Sequence, residues 1–435
     1  MIDSYTQAIS YLYGLQKFGM KFGLTGIRVL LRQVGNPHRK LRVVHVAGTN
    51  GKGSVASMIA STFTAAGYRT GLYTSPHLID FSERIRINGK SIPRTRVVQL
   101  VRKLRPAIEK RKSTFFEVAT AMALEYFAEE AVEIAVIETG LGGRLDSTNI
   151  VTPIVSVITS IELEHTEILG KKIAAIAMEK AGVIKPGVPV VTAVESKHAQ
   201  RIIQNVCEKN RSRIVSFEPQ SALLHESTLE GLIIDLVGGV HEVRGLKIST
   251  AGEFQIRNAG TALLATEIAA ERGKFSIDDR AIRKGFSSIQ TNTGLRCRLS
   301  VIQKDPLIIA DVAHNPDAVQ MLVHSLRKLG FSRLVVVFGV VKDKNYRAMI
   351  ASLSQIVARA IVVEPSNERA RKAHDLEKEF RRRRVPTINA GSVHEGVKLA
   401  KSLQLPYPIL ITGSNFVVGE ALADLLGKKY LTISQ

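Results

Sequence analysis

Lys52 stands in "VVHVAGTNGKGSV", residues 43–55, behind an apolar, β-branched run and among three glycines. Strand, glycine-rich turn, lysine, hydroxyl residue and helix is the order of a phosphate-binding loop, in which backbone N–H groups and a helix N-terminus face an anion. Gly48, Thr49, Asn50, Gly51, Gly53 and Ser54 would form the loop, and Lys52 would reach the terminal phosphates. The strict pattern G-x-x-x-x-G-K-[ST] is not met, because Val46 takes the first glycine position and Gly53 separates Lys52 from Ser54. A tight turn that binds nothing is the plain alternative. Glu138 leaves the apolar run "IAVIETG" just before a second glycine-rich loop, where a carboxylate suits Mg2+. A capping or surface acid is the other reading there. "GLYTSPH" and "VITSIELEHTEILG" bring Ser75 and His165 to two further strand ends. Each alone would be a turn residue or a hydrogen-bonded histidine.

Chemistry at several strand ends requires a sheet whose ends meet, and the hydropathy pattern predicts one. Continuous apolar runs ("LRVVHVAG", "IAVIETG", "PIVSVITSI", "VPVVTAV") alternate with helical stretches such as "FFEVATAMALEYFAEEA", where Val118, Met122 and Tyr126 recur every four residues. Continuous rather than alternating strands belong to parallel sheets covered on both faces, so a doubly wound α/β sheet of phosphate-loop type is expected. Residues 212–250 read as a small antiparallel side sheet. A second series, "PLIIADVAH", "RLVVVFGVV", "RAIVVEP" and "PILITGSN", predicts a smaller, Rossmann-like α/β domain. Domains at 1–292 and 299–435 are expected, with a linker at 293–298 inside the polar, aperiodic stretch 287–300.

A chain of 435 residues with 45% apolar content builds two cores. Two distant cysteines, Cys207 and Cys297, argue against a disulfide framework or zinc site. No apolar run approaches the ~18 residues of a membrane span, and "MIDSYTQAISYLYG" lacks a signal-peptide pattern, so a soluble, cytoplasmic protein is expected. The net charge of +21 suits nucleic acid, an anionic surface or an acidic small substrate. "EFRRRRVP" at 379–386 reads as the basic end of a helix before proline, without the interleaved aromatics of a nucleic-acid patch.

"HVAGTNGKGSV", "LYTSPHLIDFSERIRING", "FFEVATAMAL", "IETGLGGRLDSTN", "LEHTEILG", "MEKAGVIKPGVPVV", "RNAGTA", "DVAHNPDA" and "ITGS" occur in one order from about residue 44 to 414. In them the chain resembles the folylpolyglutamate synthase and dihydrofolate synthase group of the Mur ligase superfamily. The resemblance implies that Gly48–Ser54 bind ATP phosphates, that Ser75, Glu138 and His165 bind magnesium, and that Lys180 is carbamylated into a further anionic ligand. A plain salt-bridging lysine is the alternative for Lys180. Asn258 is implied near the adenine, with Arg298 and Asp311 across the linker. His314 and Ser414 are implied at the glutamate or phosphate site, His314 with a catalytic part. For the pterin the resemblance points to the loop "SPHLIDFSERIRING", to Phe115, Phe116 and Glu117, and to Leu145, with "GMKFGLTGI" closing over the same ligand. "FFE" equally suits core plus a helix-start carboxylate. The chain departs from the family pattern at Ser300, where an acid is usual, and at Glu164, where Asp usually precedes the histidine.

The implied reaction is an ATP-dependent amide ligation. A carboxylate is phosphorylated to an acyl phosphate, which the amine of L-glutamate then attacks, with Mg2+ and Lys52 stabilising the transferring phosphoryl group. Dihydropteroate, reduced folates or both are the implied acceptors, and a bifunctional, monomeric enzyme that binds neither nucleic acid nor membrane is the working expectation. A peptidoglycan-type ligase is disfavoured, because it would carry a UDP-binding domain before the phosphate loop and 47 residues precede Gly48. A Mur-type ligase with another carboxylate acceptor is the nearer alternative, and a nucleotide-dependent nucleic-acid-binding protein the more distant one.

Overall fold

The structure, a computed structural model, describes residues 2–19, 21, 23–237 and 242–430. Eight strands form the larger sheet: β1 (Val43–Ala47), β2 (Thr70–Tyr73), β3 (Ile85–Ile87), β4 (Lys90–Ser91), β5 (Ile134–Glu138), β6 (Val155–Ile158), β7 (Val190–Thr192) and β8 (Ile214–Ser216). Their order is β4-β3-β2-β5-β1-β6-β7-β8. All neighbours from β2 to β8 pair in parallel, and β3 and β4 are antiparallel additions.

Every residue of β1 is buried, because its two faces enter different cores. Val44 and Val46 pack with Val55, Met58, Ile59 and Ala262 from the helices Lys52–Ala65 and Phe254–Gly273. Val43 packs with Val118, Met122 and Ile137 on the opposite side. The apolar runs are continuous for that reason. His45 lies inside β1, fully buried, with Nε2 2.8 Å from Thr148 Oγ1 and no partner at Nδ1.

The side sheet is antiparallel, β9 (Ala222–Ser227), β10 (Leu232–Leu236) and β11 (Val243–Ile248), in the order β11-β10-β9. It is shorter than the stretch 212–250, since β8 at its start pairs with β7 in the main sheet. Alternating burial along β10 turns Leu232, Ile234 and Leu236 onto the core.

The third sheet has six strands: β12 (Ser300–Lys304), β13 (Leu307–Ala310), β14 (Leu334–Phe338), β15 (Val357–Glu364), β16 (Thr387–Ser392) and β17 (Ile409–Thr412), ordered β12-β13-β17-β14-β15-β16. Only the β12–β13 pair is antiparallel. The polar stretch before it is less irregular than its composition suggests. Ile289–Thr293 is a short helix, held where Ile289 enters the core and Asn292 Nδ2 donates to Ser61 Oγ at 3.1 Å. The arginine run ends the helix Ala373–Arg382, and Arg381 and Arg383 pair with Glu377 and Glu379 one turn earlier at 2.7 and 3.1 Å. No helix among the described residues is long and apolar enough to cross a membrane.

Candidate active site

Strand order explains why distant residues meet. β2, β5, β1 and β6 are consecutive neighbours running the same way, so the segments after them emerge at one edge. Those segments carry Ser75, Glu138, the glycine loop and His165. All of them line one cavity of about 310 Å3, together with Lys180, Asn258, Arg298, Asp311, His314 and Ser414.

The glycine loop is held from β6. Thr49 N–H donates to Ser160 O at 2.8 Å, Asn50 N–H to Ser160 Oγ at 2.9 Å, and Thr159 Oγ1 to Asn50 O at 2.7 Å. Gly48 has φ +152°, and a Cβ on it would lie 1.9 Å from Thr159 Oγ1. At Gly51 (φ +84°) an added Cβ would lie 2.4 Å from Asn258 Oδ1. The helix Lys52–Ala65 begins immediately afterwards without a side-chain cap, leaving its first N–H groups to face the cavity. Lys52 Nζ donates to Gly48 O (3.0 Å) and Thr49 O (2.9 Å), and Lys180 Nζ donates to Gly48 O at 2.6 Å. Burial, then the charge of Lys52, brings the Lys180 ammonium down to about 7.

Glu138 is 4% exposed, and its Oε2 accepts from Ser75 N–H at 3.0 Å. Burial pushes its pKa up, opposed by Lys52, that N–H and Arg298. His165 begins a short helix with φ 51°, and burial followed by the charge of Lys344 lowers its pKa to about 4. Among the described residues no group of three or more His, Cys, Asp or Glu is placed to hold a metal ion. The donors that face the cavity, a buried carboxylate and a serine, are nevertheless the oxygen chemistry that Mg2+ accepts alongside water.

The third sheet closes the cavity. Asp311 follows β13 and accepts from Leu299 N–H (2.7 Å) and Ala313 N–H (2.8 Å), so one oxygen fixes the chain immediately after Arg298 and the other the turn after Asp311 itself. Ser414 follows the adjacent β17 and caps the helix Asn415–Leu425 through Val417 N–H, at 3.1 Å. Glu164 is the junction. Its Oε1 receives His314 Nε2 (3.1 Å), Lys344 Nζ (3.0 Å) and Asn315 Nδ2 (3.3 Å), while Asn315 also donates to Asn50 Oδ1 at 2.9 Å. Burial alone would raise the Glu164 pKa, but the His314 hydrogen bond and the His314, Lys344 and Lys52 charges hold it far below the carboxylate range. Sequence reasoning missed Asn315 and Lys344. "HNP" and "KDK" carried no signal of a contact that joins residues far apart in the chain.

A second cavity of about 590 Å3 adjoins the first, and Ser75, Pro76, Gly140 and Leu141 line both. Phe115, Phe116 and Leu145 line it with His77 and Arg84, which sequence reasoning placed only within a loop. Glu117 lies elsewhere. Its Oε2 accepts from Thr114 N–H (2.7 Å) and Thr114 Oγ1 (2.9 Å), closing a capping box on the helix Phe115–Glu129, and it lines neither cavity. The structure thus gives it the helix-start role rather than a place against ligand. From "GMKFGLTGI", Gly19 and Lys21 reach the second cavity, whereas Met20 and Phe22 lie outside the described residues.

Comparison with known proteins follows the same division. Residues 46–266 match the Mur ligase middle domain and residues 297–415 the Mur ligase glutamate ligase domain. The chain is 33% identical to the folylpolyglutamate synthase of Lacticaseibacillus casei, covering 98% of this chain and 100% of that one. It is 37% identical to the dihydrofolate synthase/folylpolyglutamate synthase of Bacillus subtilis, with 83% and 85% covered. Among solved structures, folylpolyglutamate synthase from Thermotoga maritima superposes with a TM-score of 0.84 at 33% identity, covering 99% of this chain and 98% of that one. An FPGS–AMPPCP–folate complex does so with a TM-score of 0.83 at 31% identity, covering 98% and 100%. With two domain matches, full-length relatives and a shared fold, the chain belongs to the folylpolyglutamate synthase/dihydrofolate synthase family of Mur ligases.

Proposed function

We propose that this protein is an ATP-dependent ligase that joins L-glutamate to the carboxylate of a pterin-type acceptor, acting on both dihydropteroate and reduced folates. The observation that carries the reading is the pair of cavities with a common wall. One holds a phosphate loop and its lysine, and the other is lined by aromatic side chains. A related protein has been solved with AMPPCP and folate together, which supports a nucleotide in the first and a pterin in the second.

In this reading Gly48–Ser54 and the start of the helix Lys52–Ala65 hold the ATP phosphates. Lys52 exchanges the carbonyls of Gly48 and Thr49 for phosphate oxygens. The acceptor carboxylate attacks the terminal phosphorus, ADP leaves, and Lys52 offsets charge on the moving phosphoryl group. Ser75, Glu138, His165 and a carbamylated Lys180 are the residues that would hold magnesium, whose charge further neutralises the phosphates. A lysine amine with a pKa near 7 is largely neutral at slightly alkaline pH, so it can attack CO2 and release a proton to become a carbamate. Asn258, Arg298 and Asp311 surround the remaining nucleotide. The glutamate amine then attacks the acyl phosphate, and phosphate departs as the amide forms. His314 and Ser414 are the candidates for holding the incoming glutamate or the phosphate, with His314 oriented by Val312 O (2.8 Å) and Glu164. The Glu164, Asn315 and Lys344 contacts seal the cavity and keep water from the acyl phosphate.

Glutamate-dependent ADP release with ATP and Mg2+, compared for dihydropteroate and tetrahydrofolate, tests the proposal. Turnover with both is expected. Turnover with one alone would reduce the enzyme to that activity, and none with either would send the reading to another carboxylate acceptor.

A further inference from the structure

Three side chains bring permanent positive charge to the second cavity, and two of them are already engaged. Arg369 Nη2 lies 2.8 Å from Asp343 Oδ1, and Lys21 Nζ donates to the carbonyls of Lys112 (2.7 Å) and Arg111 (3.3 Å). Arg84 differs. It is 6% exposed and makes no direct ion pair among the described residues. Nε donates to His77 Nδ1 at 2.8 Å, the Tyr73 hydroxyl is a further hydrogen-bond partner, and the guanidinium stands 5.0 Å from the centre of the Phe115 ring. The charge of Glu138 acts on it only from beyond ion-pair distance. Accepting at Nδ1 leaves the His77 proton on Nε2, 3.1 Å from the Tyr13 hydroxyl, so His77 brings no negative charge. The carboxylates of this cavity are committed too. Asp146 accepts from Leu141 N–H (2.8 Å) and Thr148 N–H (2.9 Å), and Glu179 pairs with Arg144 at 2.7 Å.

A buried guanidinium with no carboxylate in direct contact, only the more distant charge of Glu138, is a costly arrangement unless a ligand brings a closer counter-charge. Its planar donors match a carboxylate in two-pronged geometry. We propose that Arg84 receives a second, non-reacting carboxylate of the acceptor: the α-carboxylate that a glutamate-bearing folate has and dihydropteroate lacks. The assignment rests on the ligase reading above. The reacting carboxylate is excluded by position, since it must reach the nucleotide cavity, whereas Arg84 lines only the acceptor cavity. One cavity would then accept both substrates, with Arg84 answering the charge that distinguishes them.

The experiment measures kcat/KM for tetrahydrofolate and dihydropteroate in the wild type, Arg84→Gln and Arg84→Lys, and for the α-carboxamide of tetrahydrofolate. The tetrahydrofolate-to-dihydropteroate ratio should fall about 10- to 100-fold in Arg84→Gln, the scale of a charge-assisted hydrogen bond, and recover partly in Arg84→Lys. The wild type should disfavour the carboxamide by a similar factor, and Arg84→Gln should no longer separate acid from amide. If Arg84→Gln does not fold, the wild-type comparison of acid and amide decides. Equal losses for both acceptors, or a wild type that uses the amide as well as the acid, would overturn the assignment while leaving the ligase reading intact. A wild type silent with every pterin acceptor would overturn both.

Discussion

Glu117 separates a structural role from a ligand-binding one at a position where sequence alone allowed either. Glu117→Ala removes the acceptor for Thr114 N–H and Thr114 Oγ1 at the first turn of the helix Phe115–Glu129. Hydrogen bonds to a charged group contribute about 1.5–3 kcal/mol. An acid at a helix N-terminus adds about 0.3–1 kcal/mol. The expected loss is therefore about 2–4 kcal/mol. The carboxylate also fills the space beside Gly26, where an added Cβ would lie 1.8 Å from Glu117 Oε1, so truncation opens a gap under the helix Thr25–Gln33 as well. For a unit of this size about 2 °C accompanies each kcal/mol, giving a melting transition about 4–8 °C lower. Calorimetry reads the transition, and initial rates read the acceptor KM, which should stay close to wild type because Glu117 lines neither cavity. An unchanged transition with a KM raised about tenfold or more would mean that the carboxylate binds ligand, and the capping argument would be refuted.

Lys52→Ala should lower kcat by about 100- to 1000-fold, and near-normal turnover in folded protein would remove it from the phosphoryl step. Stripping CO2 should inactivate the enzyme and bicarbonate restore it, with a carbon-13 carbamate signal that Lys180→Met abolishes. Absence of protein-bound label would end the carbamate reading. His45 gives a pH dependence. Burial holds its pKa at about 3 in the fold, so below the ordinary 6.5 the unfolded chain takes up the proton and stability falls as pH drops from 6.5 towards 3. By pH 5 the loss is about 2 kcal/mol, visible in urea midpoints at pH 7 and 5. The same pH slope in His45→Gln would show that another group is responsible.

The parallel sheet was legible because burial on both faces leaves continuous apolar strands, and the candidate site was legible because such a sheet puts successive strand ends at one edge. Ser75, Glu138, Lys52 and His165 are separated in the chain, yet they follow four neighbouring strands. What sequence did not reveal depends on side-chain direction and on contacts between sheets. Glu117 turns to its own helix start, Glu164 meets Lys344 from the other sheet, and Arg84 is buried without a direct ion pair. None of these leaves a periodic trace. Part of the arginine run that invited a nucleic-acid reading is paired within its own helix end, Arg381 with Glu377 and Arg383 with Glu379, while the net excess of positive charge stays unpaired.

The wall between the two cavities has an evolutionary consequence. Gly140 belongs to it, and a Cβ there would come within 2.4 Å of Phe116 Cζ, two residues beyond the carboxylate of Glu138. A side chain added on that side would disturb the acceptor aromatics and the phosphate apparatus together. Descendants of this scaffold that took up a new acceptor are therefore expected to have changed the far end of the cavity, around His77 and Leu145, which do not line the nucleotide side. The partition would stay fixed while the remote end diversified.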